Sequence, residues 1–150
     1  VTVGKNRLPW APYHGERAGV KLHVAYSPES SLPADVAETI GLRHDGPVGE
    51  QLTNAQQVLV EDRAYFKIER PDRFVEQHQR FVIRMKDNTE LHQKKSLNRL
   101  PSASSSVQAD CTCQLGTKQY SSTKRHRLVI FRDAKGRDIR VVTNRFLSLI

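Results

Sequence analysis

The chain is 150 residues long, enough for one domain of ordinary size or for a core domain carrying a smaller inserted one. Its hydrophobic fraction is 37%, with no run near the roughly 18–20 apolar residues of a membrane span and no signal-peptide core, which excludes those classes and points to a soluble intracellular protein. The formal net charge of +8 is segregated: residues 1–79 carry 9 basic and 11 acidic side chains, residues 80–150 carry 15 and 5.

A basic half of this kind favours a nucleic acid partner, because each neutralised phosphate releases condensed counterions. A solvated basic face is the competing reading. The chain begins at Val1 and its one methionine is Met85, so both ends are read as cuts in a longer protein.

Thr2 and Val3 have strand character that breaks at Gly4, and Leu8 to Gly15 is a loop rich in proline and aromatics. Trp10 and Tyr13 are read as packing over a core edge, with stacking on bases as the alternative. Val20 to Tyr26 alternates, which predicts a strand burying Val20, Leu22, Val24 and Tyr26 and leaving Lys21 and His23 on the opposite, solvated face. A weaker strand covers residues 32–42. Asp45-Gly46-Pro47 then reads as a helix start, with Asp45 as cap and the helix reaching about Ala55.

Val58, Leu59 and Val60 form a continuous apolar run, the pattern of a strand buried on both faces, and end at Glu61 and Asp62. Acids at the carboxyl end of such a strand are candidates for chemistry, since that edge opens onto a crevice in α/β sheets. Asp62 has a plain alternative: capping a helix that starts near Ala64. Pro71 predicts a helix break at Arg70 and Pro71, because proline lacks the N–H that a helix interior needs. Phe74, Val75 and His78 would form the apolar face of the next piece, and residues 80–86 a further strand.

From Glu90 to Pro101 the chain is polar, and Pro101 to Ser106 is a serine-rich loop. Val107 to Leu115 alternates strictly and places Cys111 and Cys113 on the apolar side. Residues two apart rarely meet disulfide geometry and two thiolates are too few for a tetrahedral zinc site, so both are read as core cysteines in a reducing compartment. Residues 128–132 and 137–143 flank Asp133-Ala134-Lys135-Gly136 as a β-hairpin. The densest basic run, Lys124-Arg125-His126-Arg127, precedes it and suits phosphate contacts.

Gly19 to Tyr26, Asp62-Arg63-Ala64-Tyr65-Phe66, Phe81-Val82-Ile83-Arg84 and Val141-Val142-Thr143-Asn144 together resemble the middle of bacterial insertion-sequence transposases of the DDE type. The resemblance implies an α/β fold: an incomplete RNase H-like core over residues 1–87, a mostly β, basic insertion domain over 88–140, and a return to the core over 141–150. It implies that Asp62 is the second catalytic acid and a ligand of Mg²⁺ or Mn²⁺, and that Arg63 is a DNA contact, joining Lys124, Arg125 and Arg127.

The first Asp of the family would fall before Val1. Its last Glu follows a tyrosine and an arginine three residues on, but three positions after Tyr13, Tyr26, Tyr65 and Tyr120 stand Glu16, Glu29, Ile68 and Thr123, so it would lie beyond Ile150. The implied protein acts in the bacterial cytoplasm on double-stranded DNA at insertion-sequence ends, without a membrane, and a homodimer of the full-length protein stays open. An isolated chain holding one acid of three would be inactive. The alternative is a non-catalytic DNA-binding module or an inactive remnant of an insertion sequence.

Overall fold

The computed structural model describes residues 2–15, 17–97 and 105–146. The chain divides into two compact units, Val1–Thr53 and Asn54–Ile150. Together they give a mixed α/β fold, mostly sheet, with two α-helices among the described residues.

The first unit is a three-stranded antiparallel sheet in the order β1 (Thr2–Gly4), β2 (Arg17–Ser27), β3 (Leu32–Ile40), followed by α1 (Asp45–Gln51). Val24 stands opposite Val36 and Leu22 opposite Glu38, with a bulge at Ala25/Tyr26. The alternation of β2 is present, but its faces are the reverse of the expectation. His23 is 3% exposed and its Nε2 lies 3.0 Å from the Thr39 hydroxyl, while Leu22, Val24 and Tyr26 are exposed, Leu22 by 63%.

Lys21 explains part of the reversal. Its ammonium donates to Asp45 Oδ1 and to the Arg43 carbonyl, each at 3.0 Å, and so ties the start of α1 to the face of β2 that looked polar. Asp45 is thereby an ion-pair partner in the first turn and not a cap, and α1 ends at Gln51, short of Ala55. The Tyr13 ring lies against Gly19 and Gly41, where a Cβ on Gly41 would come within 2.8 Å of it. Trp10 does not pack as expected and is 55% exposed.

The second unit is a six-stranded sheet in the order β4 (Val58–Glu61), β5 (Arg80–Arg84), β9 (Asp138–Thr143), β8 (His126–Arg132), β7 (Val107–Leu115), β6 (Leu91–Ser96). β4 and β5 are parallel, Leu59 opposite Phe81, and the remaining pairs are antiparallel. The parallel pair requires a crossover, and α2 (Glu69–Glu76) lies within it. The core contains Phe66, Phe74, Phe81, Ile83, Leu115 and Val142, with Cys113 fully buried and Cys111 packed against the cluster. Burial pushes the Cys113 thiol up to about 11, so it behaves as an apolar side chain.

Three local expectations change here. β4 stands at the end of the described sheet and is not buried on both faces: Leu59 packs on the core but Val60 is 74% exposed. The helix expected near Ala64 is one 3₁₀ turn, Arg63–Tyr65, ended by extended backbone at Phe66. α2 then runs unbroken through Arg70 and Pro71, because Pro71 is its third residue, where a missing N–H costs no intrahelical bond. His78 lies past the end of α2, exposed, with a left-handed φ of 56°. The polar stretch after Glu90 forms β6, held by β7. Most of the serine-rich stretch, Arg99 and residues 147–150 fall outside the described residues.

Candidate active site

Asp62 directly follows β4 and precedes the 3₁₀ turn. It occupies the cap position, yet its carboxylate makes no capping hydrogen bond to the turn. The turn is closed by the backbone instead, Tyr65 N–H donating to the Asp62 carbonyl at 3.0 Å. The carboxylate is thus exposed, 3.5 Å from Arg84 Nη1, on a groove of about 490 Å³ lined by Asp62, Arg63, Ala64, Lys86, Asp87 and Asn88. Arg63 pairs with Asp87 at 3.1 Å, and Arg140 donates to the carbonyls of Asp87 and Thr89 at 2.8 and 2.9 Å, which fixes the connection after β5 beside Asp62.

Glu61 has a different environment. Its side chain is 6% exposed and takes both Arg70 Nη1 and Nη2, at 2.9 and 3.2 Å. Arg70 also donates to the Tyr65 carbonyl and lies over the Phe74 ring, 4.9 Å from its centroid. Two adjacent acids are therefore separated in role, one inside an ion pair and one open to solvent.

The basic run does not form one outward face. Lys124 reaches Glu76 at 3.0 Å, and Arg125 bridges strands by donating to the Gln93 and Thr112 carbonyls at 2.7 and 3.1 Å. His126 is fully buried. Arg127 is 5% exposed and makes a two-pronged pair with Asp110, Nε to Oδ1 at 2.8 Å and Nη2 to Oδ2 at 2.7 Å. In this arrangement the Arg127 guanidinium is engaged by Asp110, and moving it to the surface would leave Asp110 buried without its counter-ion.

The same run is anchored to α2. Asp72 accepts from the Thr123 and Lys124 backbone N–H groups at 2.6 and 3.1 Å, the Thr123 hydroxyl at 3.0 Å and His126 Nε2 at 2.9 Å, while Glu69 accepts from the Tyr120 hydroxyl at 3.0 Å. Burial acts to raise the Asp72 carboxyl, but these donors outweigh it and hold the group below its ordinary 3.8. Burial pushes His126 below its ordinary 6.5 against the pull of Asp72. Both directions describe one state: a carboxylate accepting from a neutral imidazole whose Nε2 carries the proton. Nδ1 is then an acceptor, buried without a hydrogen-bond partner, and protonating it would bury an unmet donor.

Sequence reasoning missed Arg70, Asp72, Arg84 and His126 as organisers of this region. Glu69, Asp72 and Glu76 do share one helical face, a signal legible only once α2 is known to run through Pro71. A divalent ion of the Mg²⁺ type takes about six oxygens, so Asp62 has the right donor chemistry as one ligand of a set. No group of three or more His, Cys, Asp or Glu among the described residues could hold such an ion, and the site is incomplete within them. No helix among the described residues is long and apolar enough to cross a membrane.

The Transposase DDE domain family matches residues 2–148 of the chain. Over 146 residues the chain is 90% identical to a protein of Geobacillus stearothermophilus named "Probable transposase for insertion sequence element IS5377". That match covers 97% of this chain and 39% of the relative, so the chain spans about two fifths of that protein's length. No solved structure matches with significance. With almost every residue inside the family match, the chain belongs to the DDE transposase family.

Proposed function

We propose that the chain is part of the catalytic domain of an insertion-sequence transposase, which cuts and joins double-stranded DNA at the ends of the element by metal-dependent phosphodiester hydrolysis and strand transfer. The observation that carries this reading is the Asp62 carboxylate: it stands at the carboxyl end of a strand in a parallel pair, free of any capping bond, beside Arg63, Arg84 and Lys86. Asp62 supplies one carboxylate, and the remaining acids come from parts of the full-length protein that this chain does not span. Bound Mg²⁺ or Mn²⁺ would activate the attacking oxygen and stabilise the departing one at phosphorus. The setting is bacterial and cytoplasmic.

Residues 1–87 are assigned to an RNase H-like core, 88–140 to a basic β insertion and 141–150 to the return. In support, β4 and β5 are parallel with α2 in the crossover, β6 to β8 form an antiparallel meander, and β9 comes back beside β5. Arg63, Lys124 and Arg125 are assigned to DNA phosphates. Their charges sit on exposed or half-buried side chains, whereas that of Arg127 is held inside by Asp110.

The test is cleavage of a supercoiled plasmid carrying the element's ends, with Mg²⁺ or Mn²⁺. The full-length protein should nick and join it, the 150-residue chain should not, and Asp62→Ala in the full-length protein should abolish activity. Full activity in Asp62→Ala would overturn the assignment. For DNA binding, replacing Lys124 and Arg125 by Ala should flatten the log–log salt dependence of affinity, its slope falling by about one for each phosphate no longer neutralised. An unchanged slope would remove them from the interface.

A further inference from the structure

The segment that carries Asp62 is held at both ends by one guanidinium. Arg70 grips Glu61, immediately before Asp62, with both terminal nitrogens, and the Tyr65 carbonyl, three residues after it, with Nη1. The Arg70 side chain is 1% exposed and its planar group is backed by Phe74, so the fork has little room to move. Between the two anchors, the Asp62 side chain is left 60% exposed.

Stability alone accounts poorly for such a pair. Taking a carboxylate and a guanidinium out of water offsets most of their attraction, and well-packed apolar residues commonly do as well. What a two-pronged pair supplies is geometry, since a fork on a carboxylate fixes distance and orientation together. α2 carries Arg70 as its second residue and is itself fixed through Asp72, whose four hydrogen bonds tie it to residues 123–126. The clamp therefore refers the position of Asp62 to the sheet rather than to a flexible strand end.

We propose that Arg70, acting through Glu61 and the Tyr65 carbonyl, is the positioning residue for the Asp62 carboxylate. The proposal rests on the reading of Asp62 given above. Groups that hydrogen-bond a metal ligand directly carry roughly 10–100-fold in metal affinity when removed, and a support acting through the neighbouring residues belongs at the lower end of that range. Arg70→Lys keeps the charge and loses the fork; Glu61→Gln keeps the shape and loses the ion pair.

Two measurements test it. In the metal-free 150-residue chain, amide exchange at residues 62–66 should quicken about tenfold in either variant while β5 keeps its protection. In the full-length transposase, the Mg²⁺ concentration for half-maximal plasmid cleavage should rise by roughly tenfold or more, with a smaller loss of rate at saturating Mg²⁺. Loss of protection spread equally through α2 and β5 would overturn the proposal in favour of a purely structural pair, as would unchanged exchange and an unchanged Mg²⁺ midpoint in folded variants. Asp62→Ala separates the two readings: if it leaves cleavage intact, the role of Asp62 fails, whereas if it abolishes cleavage and the clamp variants move neither readout, only the clamp fails.

Discussion

The two units bury their alternating strands in opposite ways. In residues 54–150 the apolar side chains expected inside are mostly inside, Val60 excepted: Phe81, Ile83, Cys113, Leu115 and Val142 are each fully buried. In residues 1–53 the polar-looking face of β2 holds the buried His23, and the apolar Leu22 and Val24 are exposed together with Val36 across the strand pair. Alternation states that two faces of a strand differ. It does not state which face is covered, and here the Lys21–Asp45 ion pair ties the start of α1 to the other side.

The largest effect should come from the closed core. Phe81→Ala should cost about 3–5 kcal/mol, since it removes a ring packed against Phe74 and His126 and leaves a cavity. Leu22→Ser should fall within about 0.5 kcal/mol, as exposed substitutions do. Amide exchange in each unit measures both. A Leu22→Ser cost equal to that of Phe81→Ala would show that the exposed face is covered in solution and would break the comparison.

A smaller effect sharpens the account of α2. Asp72→Ala strips the acceptor from two backbone N–H groups, a hydroxyl and His126, and should cost about 2–3 kcal/mol from the buried donors left unmet. Loss of stability should appear first as faster exchange at residues 122–127. Exchange unchanged there would mean that solvent replaces Asp72 without cost.

Acid should act through the same pair. The folded pKa values of His126 and Asp72 are both depressed, so the unfolded chain binds more protons below 6.5 for the imidazole and below 3.8 for the carboxyl. Stability from each group is therefore present above those values and lost as pH falls, with a slope of at most about 1.4 kcal/mol per pH unit for one proton. The melting temperature of the chain should fall between pH 7.5 and pH 5.5, and His126→Gln should reduce that fall. A flat profile would contradict a neutral buried His126.

Pro71→Leu should give a small loss, roughly 0.4–1 kcal/mol, because proline already suits the first turn of α2 and limits the unfolded chain. A gain in melting temperature would indicate that the ring strains the turn.

These contrasts show what was legible in the sequence. The β7 strand, the hairpin around Asp133–Gly136 and the extent of the strand ending at Glu61, though not its burial, rest on local chemistry and are present as read. Gly136, with φ of +76°, supplies the turn that Asp133 closes by accepting from the Lys135 and Arg137 N–H groups. What escaped depends on partners distant in sequence. Arg127 pairs with Asp110 across 17 residues and His126 with Asp72 across 54, and no run of basic letters distinguishes a buried arginine from one facing DNA. Asp62 was visible as a candidate because it ends a strand; that its carboxylate is not a cap needed the geometry of the turn.

That distinction is open to one direct measurement: the melting temperature of Asp62→Ala set beside its plasmid cleavage in the full-length protein. A side chain that caps a turn or helix typically contributes about 1 kcal/mol, and its loss lowers stability. An exposed carboxylate whose described partner is Arg84 at 3.5 Å contributes little to folding. The role proposed for Asp62 predicts a nearly unchanged melting temperature with cleavage abolished. A lowered melting temperature with cleavage retained would contradict the account at its centre.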